Sequence, residues 1–147
     1  MNTNAKETIH LLNETYKSAR IAMDAINLLL DKTYSSDFKN ILQTQYNNYY
    51  SIAEQTAEEL YGYRCLPAEN DFIDKIGMWS AVSMGTLTNQ NTEHMAEILI
   101  NGSTMGVIDM TKMIHSNNNA SSPAKNIAQK LIDADQNNIE IMRNYLI

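Results

Sequence analysis

A chain of 147 residues is the size of one ordinary domain and can bury a proper core without disulfides or structural metal. Its 44% hydrophobic and 19% charged residues, with only two prolines and five glycines, place it in the globular range and exclude a disordered chain. The net charge of −6 and the scattered placement of eleven Lys and Arg exclude the basic patch that nucleic acid or an anionic membrane would need.

A single domain over residues 1–147 is therefore expected, with no nucleic-acid partner. Cys65 stands alone, so no internal disulfide can form, and nothing points to an oxidising compartment. The opening MNTNAKETIHLL has neither the basic stretch nor the apolar run of a signal peptide, and no run of about 18 apolar residues follows. The expectation is a cytoplasmic protein that does not insert into membranes.

In the first predicted helix, residues 5 to 30, Ala5, Ile9, Leu12, Tyr16, Ala19, Met23, Ile26 and Leu30 alternate spacings of four and three. That heptad lays one apolar stripe along a helix. Asp31 and Lys32 end it, and Ser35 or Ser36 offers an N-cap to a second helix reaching about Tyr61. The short link makes the two antiparallel neighbours. Phe38, Leu42, Gln45, Tyr49, Ile52 and Leu60 form the second stripe, Gly62 is the expected C-cap, and Leu66-Pro67 bars continuation.

A shorter, mostly apolar third helix is expected from about 70 to 87, long enough at roughly 27 Å to return the chain along the bundle. The fourth predicted helix, about 91 to 116, is apolar on most of its circumference through Met95, Ile98, Leu99, Met105, Val107, Ile108, Met110 and Met113, the mark of a buried helix. Gly102 and Gly106, four apart, permit close approach of a neighbouring backbone. After the polar turn 116 to 122, Ser122 is the expected N-cap and Pro123 the first residue of a fifth helix to about 146, with Ile127, Ala128, Leu131, Ile132, Ile139, Met142 and Leu146 inward. The expected fold is all-α: a ferritin-like antiparallel four-helix bundle, with the additional shorter helix as crossover between the second and fourth helices.

The stretches MWSAVSMGTLTN, HMAEILINGSTMGVIDM and LIDADQNNIEIMRNYL resemble a group of small uncharacterised clostridial proteins. The first two helices, LLNETYKSARIAMDAINLLL and FKNILQTQYNNYYSIAEQTAEELYG, look more distantly like the ferritin-like family of spore coat protein F. The resemblance covers most of the chain and implies a ferritin-like bundle with a spore-related setting. Where the spore-coat members carry a histidine in the second helix, this chain reads Gln45-Tyr46-Asn47-Asn48-Tyr49.

A di-iron carboxylate bundle needs glutamates and Glu-x-x-His pairs converging at one level. Glu7-Thr-Ile-His10 is the one literal match, but the heptad turns Glu7, Glu14 and His10 away from the core stripe. His94 and Glu97 on the fourth helix stand near Asp24 and Glu140 in height, and these four are the candidate ligands for Fe or Mn in an alternative metal-binding reading. His115, in the last turn of the same helix, reads as a cap or surface residue. Gln45, Asn101, Asp135 and Asn138 fall near the stripes of three helices at similar heights, so a buried polar layer is expected from them. The run Tyr46, Tyr49, Tyr50 reads as core and rim packing.

No nucleophile stands beside a base, and no phosphate loop or zinc spacing occurs. The leading expectation is a non-enzymatic structural or protein-interaction module without cofactor. Ile21 and Leu28 lie off the stripe of the first helix, where only the fifth helix or a second subunit would cover them, so a homo-oligomer, a dimer, is expected. A small-ligand pocket lined by the methionines of the fourth helix is the third reading, and it requires a large apolar cavity.

Overall fold

The structure, a computed structural model, describes residues 2–68 and 91–147. Among these the chain forms four helices and no strand: α1 (Thr3–Leu30), α2 (Ser36–Gly62), α3 (Thr92–Ser116) and α4 (Ser122–Arg143). The third predicted helix, about 70 to 87, lies outside the described residues.

Each helix opens on a short polar side chain that takes up an otherwise unpaired backbone N–H. Asn2 Oδ1 accepts from Ala5, Ser35 Oγ from Phe38, Asn91 Oδ1 from His94 and Ser121 Oγ from Ala124, at 2.8 to 3.3 Å. For α4 this corrects the expected start by one residue, since Ser121 rather than Ser122 is the cap. Helix α4 also stops at Arg143, so Leu146 lies beyond it and is exposed instead of inward.

The end of α2 differs from expectation more instructively. Gly62 is still helical, and the left-handed residue is Arg64, at φ 58°. Cys65 N–H donates to the Leu60 carbonyl and Arg64 N–H to that of Tyr61, the paired bonds of a Schellman ending. Glycine therefore sits two residues before the position that would use its freedom.

Contacts between the ends of the helices set their directions. At one end Glu7 accepts from the backbone and side chain of Asn119, and the Thr8 hydroxyl accepts from Ser121 N–H at 2.8 Å, so the α3–α4 turn rests on the start of α1. Ala68, just past α2, donates to Asn13 near that same end. At the other end the Phe38 ring meets Tyr145 edge-on at 5.0 Å, and Ile147 N–H donates to Glu93. Helices α1 and α4 thus run parallel and oppose both α2 and α3. The most extensive packing joins α1 to α2 and α3 to α4; α2 with α4, and α1 with both α4 and α3, complete the bundle.

The core is continuous across the four helices, with Leu12, Met23 and Ile26 from α1, Phe38, Leu42 and Leu60 from α2, Met95 and Met110 from α3, and Leu131 and Met142 from α4 all buried. Each such side chain contributes about 1.5–3 kcal/mol by leaving water. Helix α3 is not buried all round as its composition suggests: Met105 and Ile108 are about half exposed, at 52% and 49%. Its buried residues, Met95, Ala96, Ile98, Leu99, Ser103 and Met110, crowd toward its N-terminal half. No described helix is long and apolar enough to cross a membrane.

Candidate functional site

At mid-bundle the core turns polar. Tyr49, on the inward stripe of α2, donates its hydroxyl to Asp135 Oδ1 on α4 at 2.5 Å, and Asn138, one turn beyond Asp135, donates Nδ2 to the Tyr49 oxygen at 2.6 Å. The Ser103 hydroxyl of α3 also bonds to the Tyr49 oxygen. Four side chains from three helices thereby form one chain of bonds that ends on the carboxyl of Asp135, and none of the four is more than 8% exposed.

Burial governs the protonation of this cluster, because a charge removed from water is penalised. It lifts the Asp135 carboxyl from its ordinary 3.8 to about 7, although the bond from Tyr49 pulls the other way. Burial, with the Asp135 charge beside it, pushes Tyr49 far above its ordinary range, so the shared proton stays on the phenol. Among the described residues, no donor reaches Asp135 Oδ2. That oxygen lies against Gly106 of α3, where an added Cβ would collide with it and stand 3.2 Å from Asp135 Cγ. Gly106 is thus small because a carboxylate occupies the space a side chain would take.

The cluster forms the wall of a cavity of about 890 Å³ between α1 and α3. Its described lining is apolar through Ile21, Ala22 and Ala25 of α1 and Ile98, Met110 and Met113 of α3, with Tyr49, Asp135 and Asn138 at its polar end. Glu14 and Lys17, 3.5 Å apart, and the exposed Asp109 and Lys112 stand where it reaches the surface. The f positions of α1, expected to face water, the last helix or a second subunit, therefore flank a groove: Glu14 and Ile21 both line it, while Leu28 stays 39% exposed.

Of the expected polar layer, Asp135, Asn138 and Gln45 are buried, but Asn101 is exposed, because it projects from α3 at the cavity side rather than toward α4. Gln45 is 2% exposed, and neither its Oε1 nor its Nε2 has a partner, so it is outside the network. Tyr49 and Ser103 complete the layer instead. Tyr49 stood on the stripe in plain view, and the signal for its role is that a buried phenol needs a partner for its hydroxyl. Ser103 carried no comparable mark.

The candidate metal ligands lie apart in role. His94 and Glu97 pair with each other at 3.7 Å, Glu140 pairs with Arg143 at 3.0 Å on an exposed face, and Asp24 is half-buried. Burial raises the Asp24 carboxyl and Arg20 opposes the rise. Among the described residues no three His, Cys, Asp or Glu side chains group closely enough to hold a metal ion. Glu7 is used to hold Asn119, and His10 and His115 are exposed. Cys65, half-buried, packs against the core, and its thiol donates to the Tyr63 carbonyl at 3.5 Å.

No family model, curated protein or solved structure matches this chain.

Proposed function

We propose that this protein is a non-catalytic binding module that holds a small amphipathic molecule between α1 and α3, its apolar body along the methionine-lined wall and its polar head on the Asp135–Tyr49–Asn138 cluster. The observation that carries this reading is the pairing of a cavity of about 890 Å³ with one buried polar end. Ligand pockets run to roughly 300–1,000 Å³ and join apolar walls to a few convergent polar groups. A buried carboxyl with a strongly raised pKa is a further mark of such sites. The cluster's donors and acceptors serve recognition here.

Calorimetric titration with 1-octanol tests the reading. One equivalent is expected to bind the native protein, and Ala22→Trp or Met113→Trp, which fill the cavity from either wall, are expected to abolish binding while circular dichroism keeps its helical signal. Unchanged binding in both variants would refute it.

The parallel pair α1 and α4 set against α2 and α3 supports a ferritin-like bundle, and the resemblance to clostridial and spore-coat sequences extends that proposal to a spore-related setting. Absence of the protein from purified spores would remove that extension. A second reading, self-association into a dimer, is favoured by the exposed apolar side chains Leu28, Met105 and Ile108. Sedimentation showing a strict monomer at micromolar concentration would remove it.

A further inference from the structure

We infer that the molecule held in this cavity carries a protonated amine, whose N–H groups meet Asp135 Oδ2. The inference rests on the cavity being a binding site and adds the chemistry of the head group. Every side-chain group bonded within the cluster serves to stabilise an acceptor: Asn138 and Ser103 donate to the Tyr49 oxygen, and Tyr49 donates to Asp135 Oδ1. Nothing described donates to Oδ2, which packs on Gly106, and Asp135 stands in the lining of the cavity. A carboxylate so arranged lacks a counter-charge and a donor at one oxygen, and an ammonium supplies both. Charge-assisted bonds of that kind are among the stronger ones a site can form.

The surrounding charges favour the same sign. Glu14 and Lys17 of α1 pair across 3.5 Å, Asp109 and Lys112 of α3 stand at the exposed rim, α2 contributes only the neutral Tyr49, and α4 contributes Asp135. No His or Arg is present in the described lining. The acidic chain as a whole, at −6, also attracts cations. An anionic head would face Asp135 with no cation among the described residues of the buried end to answer it.

The test compares three probes of one length, octylamine, 1-octanol and octanoate, at pH 8, where Asp135 is largely ionised. Octylamine is expected to bind about tenfold or more tighter than octanol, the effect of one charge-assisted hydrogen bond, and octanoate more weakly than either. In Asp135→Asn, whose amide oxygen still accepts from Tyr49 but which carries no charge, the preference for octylamine over octanol is expected to be lost. Should the variant fail to fold, pH supplies the same readout on the native chain: octylamine weakens by about tenfold between pH 8 and 5.5 as Asp135 gains its proton, and octanol does not. Equal binding of octylamine and octanol at both pH values would overturn the amine inference and leave the cavity reading standing. Tighter binding of octanoate would overturn it by showing that the protonated acid is the working form. Failure of all three to bind would overturn both.

Discussion

Asp135→Asn is the substitution whose effect on stability follows most directly from the buried cluster. In the unfolded chain the carboxyl titrates near 3.8, and in the folded protein near 7. The folded state therefore holds a proton that the unfolded state has released throughout the interval between those values. The contribution of Asp135 to stability is largest below about pH 4, falls as pH rises through that window, and levels off above about 7. At 1.36 kcal/mol per unit the full loss is on the order of 4 kcal/mol, of which about 3 falls between pH 5 and 8. For a domain of this size that difference corresponds to a shift in melting temperature on the order of 6–12 °C. Asparagine keeps an acceptor for Tyr49 and cannot ionise, so urea unfolding of the variant at pH 5, 6, 7 and 8 should trace a curve flatter than the native one by about 3 kcal/mol. The variant should be the more stable protein at pH 8. Parallel curves would show that Asp135 does not carry the proton and would refute the reasoning.

Gly106→Ala should cost about 1–3 kcal/mol instead of gaining the usual helix propensity, because the new methyl displaces the Asp135 carboxyl; in an Asp135→Ala background the same change should stabilise, a difference a double-mutant cycle reads directly. Arg64→Gly should stabilise by about 1 kcal/mol, since Arg64 holds a positive φ at the end of α2, as measured by thermal unfolding. Gln45→Met should also stabilise, by about 1–3 kcal/mol, by replacing a buried amide without partners with an apolar side chain of similar shape; a loss of stability in chemical denaturation would show that Gln45 has a partner after all.

The helices were legible because their signals are local. The heptad of α1, the stripe from Phe38 to Leu60 and the short polar link at Ser35 each depend on residues within a few turns of one another. The end of α2 was legible only approximately: Gly62 advertises a cap by composition, whereas the left-handed turn falls on Arg64, where the Leu60 and Tyr61 carbonyls find their partners. Circumferential hydrophobicity misled for α3. Apolar residues on every face of one helix do not reveal that Met105 and Ile108 lie at the surface or that a cavity opens between this helix and α1.

The candidate site was half visible for the same reason. Asp135 and Asn138 stand out as polar residues on an apolar stripe, three apart and hence on one helical face. Their partner Tyr49 lies 86 residues from Asp135 along the chain, and the choice between Tyr49 and Gln45, one turn apart on the same stripe, depends on the relative heights of α2 and α4. A shift of one turn between those helices would exchange the two. Asn101 and Ser103 are similarly two residues apart on α3, and a rotation of that helix decides which of them enters the cluster.

The proposal that the space between α1 and α3 holds a ligand is tested most directly by labelling the methionine methyl groups with ¹³C and adding 1-octanol. Met105, Met110 and Met113 line the cavity, while Met23 and Met142 are equally part of the helical core and do not. The expected spectrum shows the first three methyl resonances moving in a saturable, one-to-one titration with the last two in place. Movement of Met23 and Met142 alone, or of no methionine at all, would contradict a binding site between α1 and α3.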